Sequence, residues 1–297
     1  MGDLAFIVLN YQTPGLTIGA VENIRQNIIG INYKILVVDN GSSDNSFCEI
    51  KEHFVGCDSV EVISTGRNLG YAQGNNIGLN FVKERWPKCK YVAIMNPDVR
   101  FFPNTNLFRL CYFLEKEESL AAIAPVHLLN GKLNCEQVAW KIPQGTDDIL
   151  LNFSITNRVF RPVRQPLLVN EQAISYVEVI PGSFFIIKFN VFESIGFFDE
   201  NTFLYCEERI LGKKLKNKGY KLAVDWKTFY LHLHDHKKSH LRHLLKDYNI
   251  LLKSRIHFNK RYNENKLLAG LTISTLLILY PVKIIEILAK YFIKKSS

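Results

Sequence analysis

The chain has 297 residues, of which 47% are hydrophobic and 12% aromatic, so it contains enough apolar material for a sizeable core. This composition excludes disorder over the whole chain. The formal net charge of +9 is unevenly divided, because residues 206–297 carry 20 Lys or Arg against 7 Asp or Glu, whereas residues 1–205 carry 17 against 21. We therefore expect a near-neutral body with a basic tail, and we do not expect a nucleic-acid partner.

The six cysteines are scattered along the chain without any Cys-x-x-Cys pair, which favours reduced thiols over a disulfide framework or a zinc site. The chain does not open with the charged and then apolar pattern of a signal peptide. Both features predict a protein of the cytoplasm.

The first hundred residues alternate short apolar runs with helix-like segments. Strands are predicted at Ala5–Asn10, Tyr33–Asp39, Ser59–Thr65 and Tyr91–Asn96. Helices are predicted between them at residues 14–29, 43–55 and 71–85. Strands with near-continuous apolar character are typical of a sheet buried on both faces. The repeated pattern predicts an open α/β sheet that binds its ligands at the carboxyl ends of the strands.

The second half of the chain is less regular. Residues 130–175 contain several Pro, Gly and Asn and are predicted to form a loop-rich insertion. Further strands are predicted at Tyr176–Lys188, broken at Pro181-Gly182, and at Tyr220–Asp225 and Thr228–His234. From Ser239 onward the pattern is helical.

Polar residues collect at the predicted carboxyl ends of three strands, at Asn10, Asp39 and Asn96. Asp39 can accept hydrogen bonds from a nucleobase or a ribose. Asp98, two residues after Asn96, can hold a divalent metal that neutralises a diphosphate. Each residue alone also fits an ordinary turn. Their shared position at one sheet edge favours a binding site.

The segment Leu204–Leu215 predicts a helix with one carboxylate, Glu208, on its apolar face. Burial raises the pKa of a carboxyl group, as a general base requires. A salt bridge to Lys or Arg is the alternative role for Glu208. Glu207 is turned away by about 100° and is predicted to be supporting or solvent-facing.

His232, His234 and His236 alternate at the end of a predicted strand, so they share one face. One of them can serve as an extra ligand to a metal at Asp98. Surface histidines in a basic loop are the alternative.

Seven short motifs together resemble those of the family-2 glycosyltransferases, in particular the rhamnosyltransferase-like branch of bacterial polysaccharide enzymes. They occur in the family's order over residues 4–240 and are Val37-Val-Asp-Asn-Gly-Ser-Ser-Asp44, Asn68-Leu-Gly70 with Asn75-Asn-Ile-Gly78, Met95-Asn-Pro-Asp-Val99, Pro181-Gly-Ser-Phe184, Gly196-Phe-Phe-Asp-Glu200, Phe203-Leu-Tyr-Cys-Glu-Glu208 and His234 with Ser239.

The resemblance implies a GT-A fold, a Rossmann-like, mostly parallel mixed sheet flanked by helices. It also implies inverting transfer from a nucleoside-diphosphate sugar, dTDP-rhamnose or a UDP-hexose, to a glycan acceptor. The residues implied for nucleotide-sugar binding are Asn10, Asp39, Asn68, Gly70, Asn75 and Asn96. Asp98 with His234 would hold Mn²⁺ or Mg²⁺, and Glu208, assisted by Glu207, would act as the base.

Two positions depart from the family pattern. The family motif Glu-Asp-x-Asp-Leu reads Glu207-Glu-Arg-Ile-Leu211 here, and Lys214 stands where the family often has Arg. A catalytically impaired glycosyltransferase-like binding partner of another transferase is therefore the alternative function. A nucleotidyltransferase is disfavoured, because no Gly-rich loop bearing Lys or Arg follows the first strand.

The tail contains an uncharged run of 14 residues, Leu267–Tyr280, which is shorter than the ~20 residues of a membrane-spanning helix. Lysines punctuate the apolar segment that follows, which predicts an anchor on anionic lipid. Packing on the body or a homodimer contact are the alternatives. The predicted units are a catalytic domain at 1–238, with nucleotide-sugar and acceptor halves at about 1–100 and 101–238, and a membrane-associating tail at 239–297.

These features together predict a peripheral enzyme on the inner face of the cell membrane. Its acceptor would be a lipid-linked glycan in O-antigen or capsule biosynthesis.

Overall fold

The structure, a computed structural model, describes residues 3–133, 135, 138–143, 146–161, 163–165, 167–233 and 240–296. The strands in these residues are β1 Asp3–Asn10, β2 Tyr33–Asp39, β3 Val60–Ser64, β4 Cys89–Met95, β5 Val99–Phe101, β6 Leu120–Leu129, β7 Lys132–Leu133, β8 Ile174–Val177, β9 Phe184–Lys188 and β10 Lys221–His232. The helices are α1 Pro14–Asn27, α2 Ser46–His53, α3 Gly70–Arg85, α4 Phe108–Lys116, α5 Asp147–Asn152, α6 Ser154–Phe160, α7 Phe189–Ser194, α8 Glu207–Asn217, α9 Leu241–Tyr262, α10 Lys266–Ile278 and α11 Tyr280–Ser296.

One mixed sheet forms the centre of the protein, in the order β3-β2-β1-β4-β9-β6-β10-β5. β1 to β4 are parallel, β9 runs antiparallel to β4 and β6, and β10 is parallel to β6. Helices cover both faces, so successive side chains of β1 enter two separate cores. Ile7 packs in the core that includes α3, and Phe6 packs in the core that includes α1. This arrangement explains the near-continuous apolar strands.

The predicted elements of the first hundred residues agree with the observed β1–β4 and α1–α3 within a few residues. The break at Pro181-Gly182 is also observed, because β8 ends at Val177 and β9 begins at Phe184. The prediction of two strands after Tyr220 was wrong. β10 is a single strand whose register shifts between Asp225 and Phe229, so the bulge there does not end the pairing.

The predicted loop-rich insertion contains the short helices α5 and α6, which its Pro and Gly residues obscured. β6 was not predicted at all. Its residues Leu120-Ala-Ala-Ile-Ala-Pro-Val126 are poor in β-branched side chains, yet the strand is buried between β9 and β10. Tertiary packing decided this element against its intrinsic propensity.

The first helix of the predicted tail, α9, packs against the body. Ser254 Oγ donates a hydrogen bond to the Leu204 carbonyl at 2.7 Å, and Phe258 is buried. α10 then contacts both α9 and α5. Among the described helices, none is by itself long and apolar enough to cross a membrane. α10 and residues 280–293 of α11 meet that criterion only as a pair bent by 47°.

Candidate active site

Asn10 and Asp39 are register partners at the carboxyl ends of β1 and β2. Asn10 Nδ2 donates to Asp39 Oδ1 at 2.8 Å, and the other oxygen of Asp39 accepts from the Ser42 backbone N–H at 3.1 Å. Ser42 Oγ donates to the same carboxylate at 2.6 Å. Asp39 is 1% exposed. It therefore orders the loop after β2 in this structure, and its contact with a nucleotide stays a prediction.

Asn68 and Gly70 position the start of α3 beside this loop. Asn68 Oδ1 accepts from the Gly70 N–H at 2.9 Å, and Asn40 Nδ2 donates to the Gly70 carbonyl at 3.0 Å. Gly70 has φ +81°, and a Cβ there would overlap the carbonyl of Phe203. Only glycine allows this close approach, which brings the start of α3 against the segment before α8.

Asn75 lies within α3, where its Nδ2 donates to the Tyr71 carbonyl at 2.9 Å and its side chain is 1% exposed. The structure therefore places its side chain inside the protein, and its contact with a nucleotide sugar stays a prediction. Its neighbour Asn76 was not singled out in the sequence. Asn76 exchanges hydrogen bonds with both the N–H and the carbonyl of Phe198 at 3.1 and 3.0 Å, which fixes the Gly196–Glu200 motif against α3.

A cleft of about 560 Å³ opens near the carboxyl ends of β4 and β10. Its lining includes Asn96, Trp140, Gly182, Glu207, Glu208 and His232. A cavity of about 630 Å³ lies beside Arg109, and another of about 790 Å³ lies beside Lys188. Neither cavity is lined by any of the predicted site residues. The cleft that contains both glutamates is therefore the candidate active site.

Two consecutive left-handed residues, Tyr205 at φ +73° and Cys206 at φ +68°, precede α8. Such backbone conformations are costly for residues with side chains and concentrate at functional sites. α8 begins only at Glu207, so the predicted helical stripe starting at Leu204 was wrong at its first turn. The turn places both Glu207 and Glu208 in the first helical turn at the cleft.

Glu207 is 4% exposed, so of its two predicted roles the solvent-facing one was wrong, and the supporting one stays a prediction. Glu208 is less deeply buried and approaches Gly182. A Cβ on Gly182 would lie 2.5 Å from Glu208 Oε1, so this glycine makes room for the carboxylate. Tyr71 Oη donates to the Gly182 carbonyl at 2.8 Å and holds the same segment from the α3 side.

Burial and the neighbouring Glu208 raise the pKa of Glu207 to about 8. Burial also raises the pKa of Glu208, while backbone hydrogen bonds and Arg209 oppose the shift. Two adjacent carboxyl groups in a desolvated place do not both ionise easily. The pair can therefore keep a proton near neutral pH and exchange it with a bound molecule.

Asp98 lies against His232, with its Oδ2 3.3 Å from His232 Nε2. Its other oxygen, Oδ1, is buried and has no hydrogen-bond partner among the described residues. A buried carboxylate oxygen without a partner fits a metal ligand, and Mn²⁺ and Mg²⁺ accept carboxylate, imidazole and phosphate oxygen ligands. The described part of the chain contains no cluster of three His, Cys, Asp or Glu.

The predicted metal ligand His234 lies outside the described residues. His232, from the same alternating set, is the histidine that the structure brings to Asp98. The alternation of the histidines in the sequence predicts that they share one face of the strand. Which of them reaches Asp98 depends on the pairing of β10 with β5.

A buried network of charged side chains, which the sequence did not predict, stabilises α8. Asp148 of α5 accepts from Arg209 and from Arg255 of α9, both at 3.1 Å, and from Asn259 at 2.9 Å. Burial alone would raise the pKa of Asp148, but the two guanidinium groups hold it below its usual value. Arg209 directly follows Glu208, so this network joins the insertion and the tail to the glutamate-bearing helix.

The architecture of the chain matches that of a solved structure. The crystal structure of GalNAc-T7 with UDP, GalNAc and Mn²⁺ superposes with a TM-score of 0.62 at 12% sequence identity, and covers 88% of this chain and 50% of that chain. The predicted GT-A fold is thereby confirmed.

The family follows from the sequence comparison. A family model described as glycosyl transferase family 2 matches residues 6–195, and the chain belongs to this family. The predicted resemblance to rhamnosyltransferases is confirmed by curated relatives.

Three of these relatives are informative. The low-salt glycan biosynthesis hexosyltransferase Agl10 of Haloferax volcanii is 27% identical over 210 residues, which are 70% of this chain and 60% of that protein. The rhamnosyltransferase WbbL of Escherichia coli K12 is 23% identical over 78% of this chain and 87% of its own length. An N-acetylglucosaminyl-diphospho-decaprenol L-rhamnosyltransferase of Mycobacterium tuberculosis is 26% identical over 63% of this chain and 62% of its own. The match thus spans less than two thirds of the Haloferax and mycobacterial proteins.

Proposed function

We propose that this chain is an inverting, metal-dependent glycosyltransferase that moves a sugar from a nucleoside-diphosphate sugar to a lipid-linked glycan. The observation that carries the proposal is the pair of the buried Glu207 and the half-buried Glu208 at a cleft that also contains Asn96 and His232, the latter in contact with Asp98. A proton acceptor and a candidate metal ligand set therefore meet at one cavity of a GT-A fold.

Glu208 takes the proton of the acceptor hydroxyl as that oxygen attacks the anomeric carbon. Burial raises the pKa of Glu208, which makes its carboxylate a stronger base toward the acceptor hydroxyl. Glu207, with a pKa of about 8, stays largely protonated at neutral pH, which lowers the repulsion between the two neighbouring carboxyl groups. Gly182 leaves the space in which the Glu208 carboxylate lies.

Asp98 and His232 would hold the divalent cation, Mn²⁺ or Mg²⁺, with His234 as the further ligand that the sequence motif predicts. When bound, the cation supplies positive charge to the departing diphosphate. The unpartnered Oδ1 of Asp98 supports this assignment among the described residues. Asn10, Asp39 and Asn68 order the loops beside which the nucleotide would lie.

The names of the relatives support a hexose or deoxyhexose donor, for which dTDP-rhamnose and a UDP-hexose are the candidates. A decaprenol-linked acceptor in the name of the mycobacterial relative supports a lipid-linked glycan as acceptor here. The product would enter a surface polysaccharide such as O-antigen or capsule.

Such an acceptor lies at the inner face of the cell membrane, and we propose that the tail binds there. α10 and α11 leave large apolar side chains exposed, with Ile278 at 73% and Ile285 at 64%. Residues 206–297, which include these helices, carry 20 basic against 7 acidic residues, which suits an anionic lipid surface.

The test is nucleotide release by the purified protein with Mn²⁺, UDP-, dTDP- and GDP-sugars and membrane extract as acceptor source. We expect turnover of one donor, abolished by EDTA and reduced at least about 100-fold in Asp98→Ala and Glu208→Gln. Glu61→Gln on the exposed side of β3 is the control and should retain full activity.

No release from any donor would contradict the transferase and favour the alternative, an impaired binding partner of another transferase. The altered motif Glu207-Glu-Arg-Ile210 is the observation behind that alternative. Activity that survives in Glu208→Gln would instead assign the base to Glu207.

A further inference from the structure

The short helix α6 exposes three large apolar side chains, Ile155 at 78%, Val159 at 67% and Phe160 at 65%. None of the residues of this helix is buried. Ile155 and Val159 are four residues apart and share one helix face. A folded protein rarely holds a helix outward with its apolar side chains in water unless that surface has a partner.

α6 lies directly beside α11. Lys283 Nζ donates to Ser154 Oγ at 2.5 Å, and Ser154 Oγ donates to the Glu286 carboxylate at 3.2 Å. Val282 and Ile285, which flank this contact on α11, are 48% and 64% exposed. The apolar side chains of the insertion and of the tail are therefore on adjoining helices, although they are more than 100 residues apart in sequence.

The charges indicate which partner covers these helices. Arg158 on α6 and Lys290 on α11 are exposed, and the basic excess of the chain lies in residues 206–297. Exposed apolar side chains interleaved with basic ones complement the interface of an anionic phospholipid bilayer. A protein partner of the same surface would have to be both apolar and acidic.

We propose that α6 of the insertion, with α10 and α11, forms one composite surface that binds an anionic bilayer. The proposal rests on the membrane association in the proposed function and adds to it a second, non-tail element. α6 follows α5, in which Asp148 is bonded to Arg209 beside Glu208. The bilayer contact is thus joined through a short segment to the helix that bears the candidate base, which fixes the orientation of the cleft relative to the lipid.

The experiment is co-sedimentation of the full chain with phosphatidylglycerol–phosphatidylcholine vesicles and with phosphatidylcholine vesicles. We expect the double variant Ile155→Ser/Val159→Ser to bind the anionic vesicles at least about tenfold more weakly than wild type. Val55→Ser, which removes a side chain 76% exposed after α2, is the matched control and should bind as wild type. Neutral vesicles should bind the wild type weakly.

A second measurement reads the contact directly. Phe160→Trp should show fluorescence that brominated lipid quenches beyond the wild-type background of three tryptophans. Wild-type binding by Ile155→Ser/Val159→Ser, with no added quenching of Phe160→Trp, would overturn the proposal. Self-association of the chain without vesicle binding would overturn it too, by assigning the surface to a second copy.

A tail variant, Leu277→Ser/Ile278→Ser, separates this inference from the function on which it rests. If this variant loses binding while Ile155→Ser/Val159→Ser retains it, only the role of α6 fails. If the wild type does not bind, the proposed membrane association fails with it. Nucleotide release from the donor, measured on the same preparations, tests the transferase independently of both.

Discussion

Arg209 and Asp148 form a buried ion pair with a nitrogen–oxygen distance of 3.1 Å and side-chain exposures of 15% and 3%. Arg209 is the residue after Glu208, and Asp148 belongs to an insertion about 60 residues upstream. The pair therefore ties the insertion to the candidate catalytic helix α8. Arg255 of α9 binds the same carboxylate, so the single anion of Asp148 is paired with two cations.

Replacement of Asp148 by Asn should destabilise the protein by about 3 kcal/mol, because it leaves two buried guanidinium groups without a compensating charge. Urea unfolding followed by circular dichroism measures the change in the free energy of unfolding. Asp58→Asn, at an exposed position before β3, should change it by less than about 0.5 kcal/mol. Equal stability of the two variants would show that the network contributes nothing.

The protonation of Glu207 should make the stability of the protein depend on pH. Its pKa is about 8 in the folded state against 4.5 for the free group, so the folded state binds this proton more tightly. This contribution to stability is complete below pH 4.5 and is lost as the pH rises toward and through 8. Glu207→Gln, which is neutral throughout, should exceed wild type in free energy of unfolding by at least about 1 kcal/mol at pH 8, and by much less at pH 5.

Denaturation across pH 5–9 tests this expectation, with Glu61→Gln as the control that should keep the wild-type slope. A constant difference between Glu207→Gln and wild type at all pH values would contradict a raised pKa at this position.

Gly70→Ala should cost more stability than Gly66→Ala. Both glycines have positive φ, +81° and +74°, so both substitutions carry the backbone penalty of about 1–2 kcal/mol. Only at Gly70 does the added Cβ meet the Phe203 carbonyl, whereas nothing lies within 4 Å at Gly66. We expect an additional loss of about 1–3 kcal/mol for Gly70→Ala, measured by thermal or urea unfolding. Equal losses of stability in the two variants would mean that the segment before α8 moves away from the added Cβ at no cost in free energy.

Gly182→Ala should reduce turnover without unfolding the protein, because its Cβ would displace the Glu208 carboxylate. We expect kcat to fall at least about tenfold, with the KM for the donor little changed, since this contact involves the base. Gly15→Ala near the start of α1 has nothing within 4 Å of the added Cβ and serves as the control. A kcat equal to wild type would separate Gly182 from the reaction.

The sequence was most informative where local pattern and tertiary environment agree. β1, β2 and β4 are continuous apolar runs because both faces of the parallel sheet are covered, and their polar end residues therefore marked a sheet edge. This shared edge predicts that Asn10 and Asp39 lie close together, and their side chains are in contact. The same pattern does not predict β6, because its alanines have no preference for strands. β6 is a strand only because it is buried between two neighbouring strands.

The sequence by itself determined the family and the α/β architecture, because these depend on short motifs and on periodicity. The same motifs identified the glutamates, Asp98 and the strand-end asparagines as candidate site residues. Only the tertiary structure decided that Glu207 is the more buried glutamate, that His232 reaches Asp98, and that Asp148 binds Arg209. Burial and the partners of a charge are set by chain segments far apart in sequence. For Asp98, Glu207 and Asp148, the neighbours along the chain therefore do not indicate which cation or carboxylate each side chain meets.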